Sequence, residues 1–156
     1  DFHRFAGSFV SDEEEIIFVV SKENIDRALR NAIRIGLDKI VGWVSPETLQ
    51  SVSTLETMPE ISAEQFESLA EAHVLDVRRL PEYDAGHIEQ AINVAHTRLL
   101  DRIDEVDPSI PYIVNCHGGS RSAAACMALR RKGFEVTNLA GGYSGWKKYT
   151  DACLAK

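Results

Sequence analysis

The chain has 156 residues, of which 44% are hydrophobic and 26% charged, proportions of an ordinary globular domain that exclude fibrous and disordered classes. Its 17 Lys and Arg stand against 24 Asp and Glu, a formal net charge of −7. That balance argues against a surface that neutralises nucleic-acid phosphates or anionic lipid, so any attraction for an anion is expected to be local. No stretch approaches the roughly 18 apolar residues of a membrane span, and no basic region followed by an apolar one opens the chain. A soluble, cytoplasmic chain with neither nucleic-acid nor membrane partners is expected. Asp1, rather than Met, stands first, which reads as a piece of something longer. Cys116, Cys126 and Cys153 are odd in number and form no CxxC pair, a usage that suits a reducing compartment and leaves at least one thiol for work.

In chain order, the acidic run Asp12 to Glu15 reads as a solvated turn, and Ile16-Ile17-Phe18-Val19-Val20 as a buried parallel strand. Ile25, Ala28, Leu29, Ala32 and Ile33 recur at helical spacing and Gly36 supplies a stop. Lys39 to Val44 reads as a second strand, which completes a β-α-β unit. Residues 45–60 have loop composition, and 51–60 are taken as a linker. Ser62 and Gln65 have capping-box spacing and open a helix through about Glu71.

His73 to Val77 is then a strand, and Arg78 to His87 a connection with at most a short helix. Ile92-Asn93-Val94 is a short strand, and Leu99, Leu100, Ile103 and Val106 mark an amphipathic helix that ends before Asp107-Pro108. Tyr112 to Asn115 is a strand, Arg121 to Lys132 a helix stopped by Gly133, Val136 to Leu139 a strand, and Tyr143 to Tyr149 a final helix. Alternating strands and helices predict an α/β fold with a mainly parallel sheet. Strand, helix, glycine and strand run from Ile16 to Val44 and again from Tyr112 to Leu139. Ser21 falls where Cys116 does, so the first copy lacks the thiol. Two β-α-β units also share this pattern by chance.

The segment Asn115-Cys116-His117-Gly118-Gly119-Ser120-Arg121-Ser122 is where the chain becomes specific. A thiol at the carboxyl end of a strand precedes two glycines and a helix start, so several backbone N–H groups can point at one spot. Those donors and the positive helix end stabilise a thiolate. The carboxyl ends of strands are also where ligands bind in open α/β sheets.

With this loop, the pieces Leu75-Asp76-Val77-Arg78, Glu82 to Ile88 running on through Ala91 to Val94, and Leu139 to Tyr143 with Trp146, residues 61–149 resemble the rhodanese family of sulfurtransferases. The resemblance implies that Cys116 is a nucleophile carrying sulfur as a persulfide. It implies that the amides of His117, Gly118, Gly119, Ser120 and Arg121 cradle that sulfur, with Ser122 beside them, and that the Arg121 side chain helps hold an anionic donor. The expected domains are 61–150, a rhodanese-like fold with a mainly parallel central sheet flanked by helices, and a tail at 151–156. Residues 1–50, with Phe5 to Phe9 and Arg34 to Asp38, resemble the closing half of a degenerate rhodanese-like domain. Such halves lie between a metallo-β-lactamase-fold persulfide dioxygenase and an active rhodanese domain in bacterial fusion proteins. A half-domain β-α-β unit cannot complete a core alone, so it is expected to pack on the second segment or pair with another copy.

Asp76, Arg78 and His87 are candidates for tuning the pocket, a structural ion pair being the alternative for the first two. Tyr143 and Trp146 stand at the pocket rim or in the core. Cys126 reads as core, Cys153 as incidental, and His3, His73, His87, His96 and His117 show no metal-ligand spacing. No metal and no cofactor are expected. The partners are a small-molecule sulfur donor and a thiol acceptor, with an upstream dioxygenase region and a homo-oligomer as further possibilities. A non-catalytic interaction module is one rival. The other is a Cys-dependent phosphatase, whose tetrahedral substrate needs a wider loop than the four residues between Cys116 and Arg121.

Overall fold

The computed structural model describes residues 2–155, with side chains from Phe5 onward. It divides into two compact units, Asp1–Thr57 and Met58–Lys156. In the first, helix α1 (Phe2–Phe9), strand β1 (Ile16–Val19), a 3-10 turn at Lys22–Asn24, helix α2 (Ile25–Ile33), strand β2 (Ile40–Val44) and helix α3 (Pro46–Gln50) follow in order. β1 and β2 pair in parallel. Ala6, Phe18, Ala32 and Leu37 form the core, with Val10, Ile16, Val20, Ala28 and Ile40 packed against it.

The expectation of a strand buried on both faces does not hold. Ile17 (60% exposed), Val19 (44%), Val41 (57%) and Trp43 (43%) face solvent, because α1 and α2 contribute to a core on one face of the two-stranded sheet. Leu29 and Ile33 of α2 are likewise exposed while Ala32 is buried. Two helices were not anticipated. α1 lies in residues that gave no periodic reading, and α3 begins in the segment read as loop. Ser45 caps α3 by accepting the Thr48 N–H at 3.2 Å, and Pro46 stands in the first turn, where its missing N–H costs nothing.

The second unit runs β3 (Glu60–Ile61), α4 (Ala63–Glu67), β4 (His73–Asp76), α5 (Leu80–Asp84), β5 (Ile92–Asn93), a 3-10 turn at Ile103–Glu105, β6 (Tyr112–Asn115), α6 (Ser120–Arg131), β7 (Val136–Leu139) and α7 (Gly142–Leu154). Its five strands lie in the order β3-β7-β6-β4-β5, every described pairing parallel. The fold is thus α/β with a parallel central sheet flanked by helices. In such a sheet all carboxyl ends lie on one edge, so Asp76, Cys116 and the glycines after β7 emerge together.

Several elements differ from expectation. The last residue of the expected 51–60 linker, Glu60, belongs to β3 and Pro59 before it is tied to the sheet: the Asn138 N–H donates to the Pro59 carbonyl at 2.9 Å, and Asn138 Nδ2 donates to Glu60 Oε1 at 2.7 Å. A two-residue edge strand is too short to show periodicity. The capping box at Ser62 and Gln65 is present, but the helix stops at Glu67 rather than Glu71, with the Ser68 hydroxyl donating to the Gln65 carbonyl at 2.6 Å. Instead of a helix over 99–106 there is only the 3-10 turn. Leu99 and Val106 are nonetheless both buried, so the apolar spacing reflects a loop pinned at each end. α7 continues to Leu154, into the segment read as tail.

Leu75, fully buried on the interior strand β4, is the sharpest probe of this core. Leu75→Ala is expected to destabilise the chain by about 2–5 kcal/mol through lost burial and the cavity left behind. Met127→Ala, at an exposed site, is expected to fall within about 0.5 kcal/mol of the parent. Urea unfolding followed by circular dichroism measures both, and equal midpoints for the two variants would contradict the placement of β4.

Candidate active site

Cys116 directly follows β6 and is 1% exposed, so a donor must bring its sulfur to Sγ rather than the thiol reaching out. The chain turns sharply to start α6 with Gly119 as N-cap at φ 96°, a left-handed value that glycine adopts without strain. The turn aims the Gly119 N–H at Cys116 Sγ, 3.1 Å away. The Ser122 hydroxyl lies 3.4 Å from the same sulfur and 2.9 Å from the Gly119 carbonyl, to which it donates. The sulfur therefore sits at the positive end of a 12-residue helix, where partial charges favour an anion.

The loop is held from behind by α7. The Tyr143 N–H donates to the Cys116 carbonyl at 2.7 Å and the Ser144 N–H to the His117 carbonyl at 3.0 Å. In a trans peptide the N–H points opposite to its carbonyl, so the His117 and Gly118 N–H groups point away from α7. Gly142 makes this docking possible. A Cβ there would lie 2.4 Å from the Cys116 carbonyl oxygen and 2.9 Å from the Gly119 nitrogen. His117, Gly118 and Ser120 are exposed, Gly119 and Ser122 buried, and Arg121 half-buried.

The Arg121 guanidinium meets a partner that sequence reasoning missed. Its two terminal nitrogens donate to the two carboxylate oxygens of Glu82 on α5, each at 2.8 Å. Hydrogen bonds from Arg121, opposed by burial, bring the Glu82 carboxyl down to about 2. Arg121 is raised in turn, first by the Glu82 hydrogen bonds and then by the charges of Glu82 and the neighbouring Cys116. Glu82 stands within a segment that carries the family resemblance, yet a pairing across 39 residues leaves no trace in one sequence.

Asp76 and Arg78, the candidates for tuning the site, form a buried ion pair. Arg78 Nε donates to Asp76 Oδ2 at 2.9 Å and Nη2 to the same oxygen at 2.6 Å. Asn115 Nδ2 donates to Asp76 Oδ2 at 3.2 Å, Arg78 Nη2 reaches the Gly86 carbonyl at 2.8 Å, and the guanidinium lies 4.2 Å from the Tyr143 ring centre. The network joins β4, β6, the α5 connection and α7 beneath the loop. His87 stacks on the Tyr83 ring with centres 3.8 Å apart, and its Nδ1 is 3.1 Å from the Tyr83 carbonyl; these contacts tie it to α5. Tyr143 and Trp146 pack against the Phe66 and Leu139 cluster, and Trp146 Nε1 donates to Glu67. Cys126 is fully buried on α6, and burial pushes its thiol up to about 12, so it is no nucleophile. Cys153 is exposed. Among the described residues no three His, Cys, Asp or Glu side chains group to hold a metal ion, and no helix is long and apolar enough to cross a membrane.

Gly142→Ala tests the docking of the loop. The methyl group has no room beside backbone atoms that cannot rotate away, so Cys116 is expected to lose its aligned donors. Alkylation of Cys116 by iodoacetamide at neutral pH, followed by peptide mass spectrometry, is expected to slow about tenfold or more as thiolate stabilisation is lost. An unchanged rate in a folded variant would contradict the role given to α7.

The rhodanese-like domain family model matches residues 61–149. The chain is 38% identical over 90 residues to the thiosulfate sulfurtransferase GlpE of Pseudomonas fluorescens, a match covering 56% of this chain and 83% of the relative. It is 30% identical over 123 residues to the protein HIGH ARSENIC CONTENT 1, mitochondrial, of Arabidopsis thaliana, covering 70% and 72%. Among solved structures, a rhodanese-related protein from Thermoplasma volcanium superposes with a TM-score of 0.56 at 30% identity, covering 58% of this chain and 92% of that one. The family-model match falls on the unit that holds Cys116 and its loop, and the chain belongs to the rhodanese-like domain family.

Proposed function

We propose that the chain is a sulfurtransferase in which Cys116 carries sulfane sulfur from thiosulfate or a related persulfide donor to cyanide or a thiol. The observation that carries this reading is the Cys116 sulfur accepting the Gly119 N–H at the head of α6. The Cys116 thiolate attacks the outer sulfur of the donor. A new S–S bond forms, the donor's S–S bond breaks, and sulfite or a thiolate departs with the bonding electron pair, leaving a Cys116 persulfide. A second thiolate, or cyanide, then attacks the outer sulfur and releases Cys116 as thiolate. This is double-displacement covalent catalysis. The loop amides oppose the negative charge on the outer sulfur, and preorganised donors of this kind act without reorganisation at the moment of reaction. Support also comes from the named activity of the GlpE relative.

The four-residue interval from Cys116 to Arg121 favours a single sulfur atom over a tetrahedral phosphate, and the engaged guanidinium of Arg121 points the same way. For residues 1–50 the reading is different. Ser21 stands where the second copy has its cysteine, and the exposed Ile17, Val19, Val41 and Trp43 suit a region that makes contacts rather than chemistry. The likeness to the closing half of a degenerate rhodanese-like domain in a dioxygenase fusion belongs to this proposal, as does a cytoplasmic setting.

Incubating the reduced chain with thiosulfate or glutathione persulfide is expected to add about 32 Da to Cys116, the mass of one sulfur, and Cys116→Ser to abolish it. A reduced Cys116 that gains no sulfur from either donor would sink the reading, as would aryl phosphate hydrolysis that disappears in Cys116→Ser. Deleting residues 1–57, a cut that spares the Pro59 and Glu60 contacts, is expected to leave persulfidation within about twofold while changing solubility or association state. A folded, monomeric truncation unable to accept sulfur would contradict this division of labour.

A further inference from the structure

Arg121, whose charge reaches Cys116, and Arg78, just past the neighbouring strand β4, are each held by a carboxylate. Arg78 is 3% exposed and paired with the fully buried Asp76. Arg121 is paired through both terminal nitrogens with Glu82, their side chains 22% and 36% exposed. Glu82 also accepts the Arg79 N–H at 3.3 Å, which fixes it in the first turn of α5. Its carboxyl stays ionised at any working pH, since Arg121 holds it near 2. His96, lowered by burial and by the Arg121 charge, adds no cation at neutral pH. What remains to attract an anion is the Gly119 N–H, the end of α6, equivalent to roughly half a unit charge, and the exposed Arg79, whose charge reaches His96.

A thiosulfate dianion approaching Cys116 meets Arg121, whose charge reaches the Cys116 sulfur, with the Glu82 carboxylate bound across both terminal nitrogens, so the guanidinium's attraction is in part offset. An organic persulfide or thiosulfonate, whose inner sulfur is bonded to carbon, brings one charge or none to the site and loses less from that offset. We propose that Glu82 is a specificity-determining residue that neutralises Arg121 toward incoming donors and thereby selects organic persulfides and thiosulfonates over thiosulfate. The inference rests on the sulfur-transfer reading and narrows its donor class.

The test uses the full chain, reduced, as wild type, Glu82→Gln and Glu82→Asp. Glutamine keeps the shape without the charge; aspartate keeps the charge with altered geometry. The first readout needs no turnover: protection of Cys116 from iodoacetamide by sulfate, an unreactive dianion, and by methanesulfonate, a monoanion, resolved from Cys126 and Cys153 by peptide mass spectrometry. Glu82→Gln is expected to lower the half-protecting sulfate concentration about tenfold, the order expected for removing one unit charge near a half-exposed dianion site. Methanesulfonate is expected to change about threefold, and Glu82→Asp to match wild type for both.

The second readout is the ratio of kcat/KM for thiosulfate to that for benzenethiosulfonate. It is expected to rise about tenfold in Glu82→Gln, through KM for thiosulfate, and to stay within about twofold in Glu82→Asp, the contrast again being one unit charge. Equal sulfate protection in wild type and Glu82→Gln overturns the inference, as does an unchanged or lower ratio. If neither donor leaves sulfur on Cys116 in any of the three proteins, the sulfur-transfer reading fails, and the sulfate protection still decides the effect of Glu82 on dianions.

Discussion

The candidate site depends on one constraint: the loop after Cys116 must hold the shape that puts the Gly119 N–H on the sulfur. A loop of glycines does not hold such an arrangement unaided, because the freedom that admits the shape admits many others. The first two N–H groups of α7 after Gly142 supply the restraint by binding the Cys116 and His117 carbonyls at 2.7 and 3.0 Å. Two helix N-termini thus converge on one loop. α6 directs its positive end at the sulfur, and α7 spends its otherwise unpaired donors on the carbonyls behind. The lack of a side chain on Gly142 is what lets these backbones meet.

Beneath the loop, the Asp76–Arg78 pair does a second job. A fully buried charge pair is an uncertain source of net stability, but removing one partner leaves an uncompensated charge, typically at about 3–5 kcal/mol. Here the pair is satisfied on several sides, by Asn115, by the Gly86 carbonyl and by the Tyr143 ring. Asn93 Nδ2 adds bonds to the Asp76 and Arg78 carbonyls at 2.9 and 3.0 Å. Those partners come from four separate stretches of chain. Their common dependence on one buried salt bridge fixes where β4, β6 and α7 stand relative to the connection that carries Glu82.

Much of this was legible in the sequence. The apolar run of β6, the two glycines and the α6 start placed the thiol at the carboxyl edge of a parallel sheet, and Ser62 and Gln65 announced α4. What escaped was of two kinds. Local readings failed where apolar spacing served a loop, as between Leu99 and Val106, or where a strand was too short for a period, as at Glu60–Ile61. β1 looked buried on both faces because Ile17 and Val19 are as apolar as Phe18, though only Phe18 enters the core. Contacts between distant positions escaped altogether: the Glu82 carboxylate on Arg121 and the α7 amides on the loop carbonyls are products of the assembled sheet. Arg121, which the family resemblance implies helps hold an anionic donor, is the clearest case. Its residue type was visible, and its neutralising partner was not.

The central claim is that the loop after Cys116 is a cradle for one sulfur atom. A crystal structure of the chain after reaction with an organic persulfide tests it most directly. The account predicts density for a second sulfur bonded to Cys116 Sγ, enclosed by the N–H groups of the loop, with the α7 contacts to the Cys116 and His117 carbonyls intact. Sulfur on another cysteine, or a Cys116 persulfide turned away from the loop amides, would contradict it.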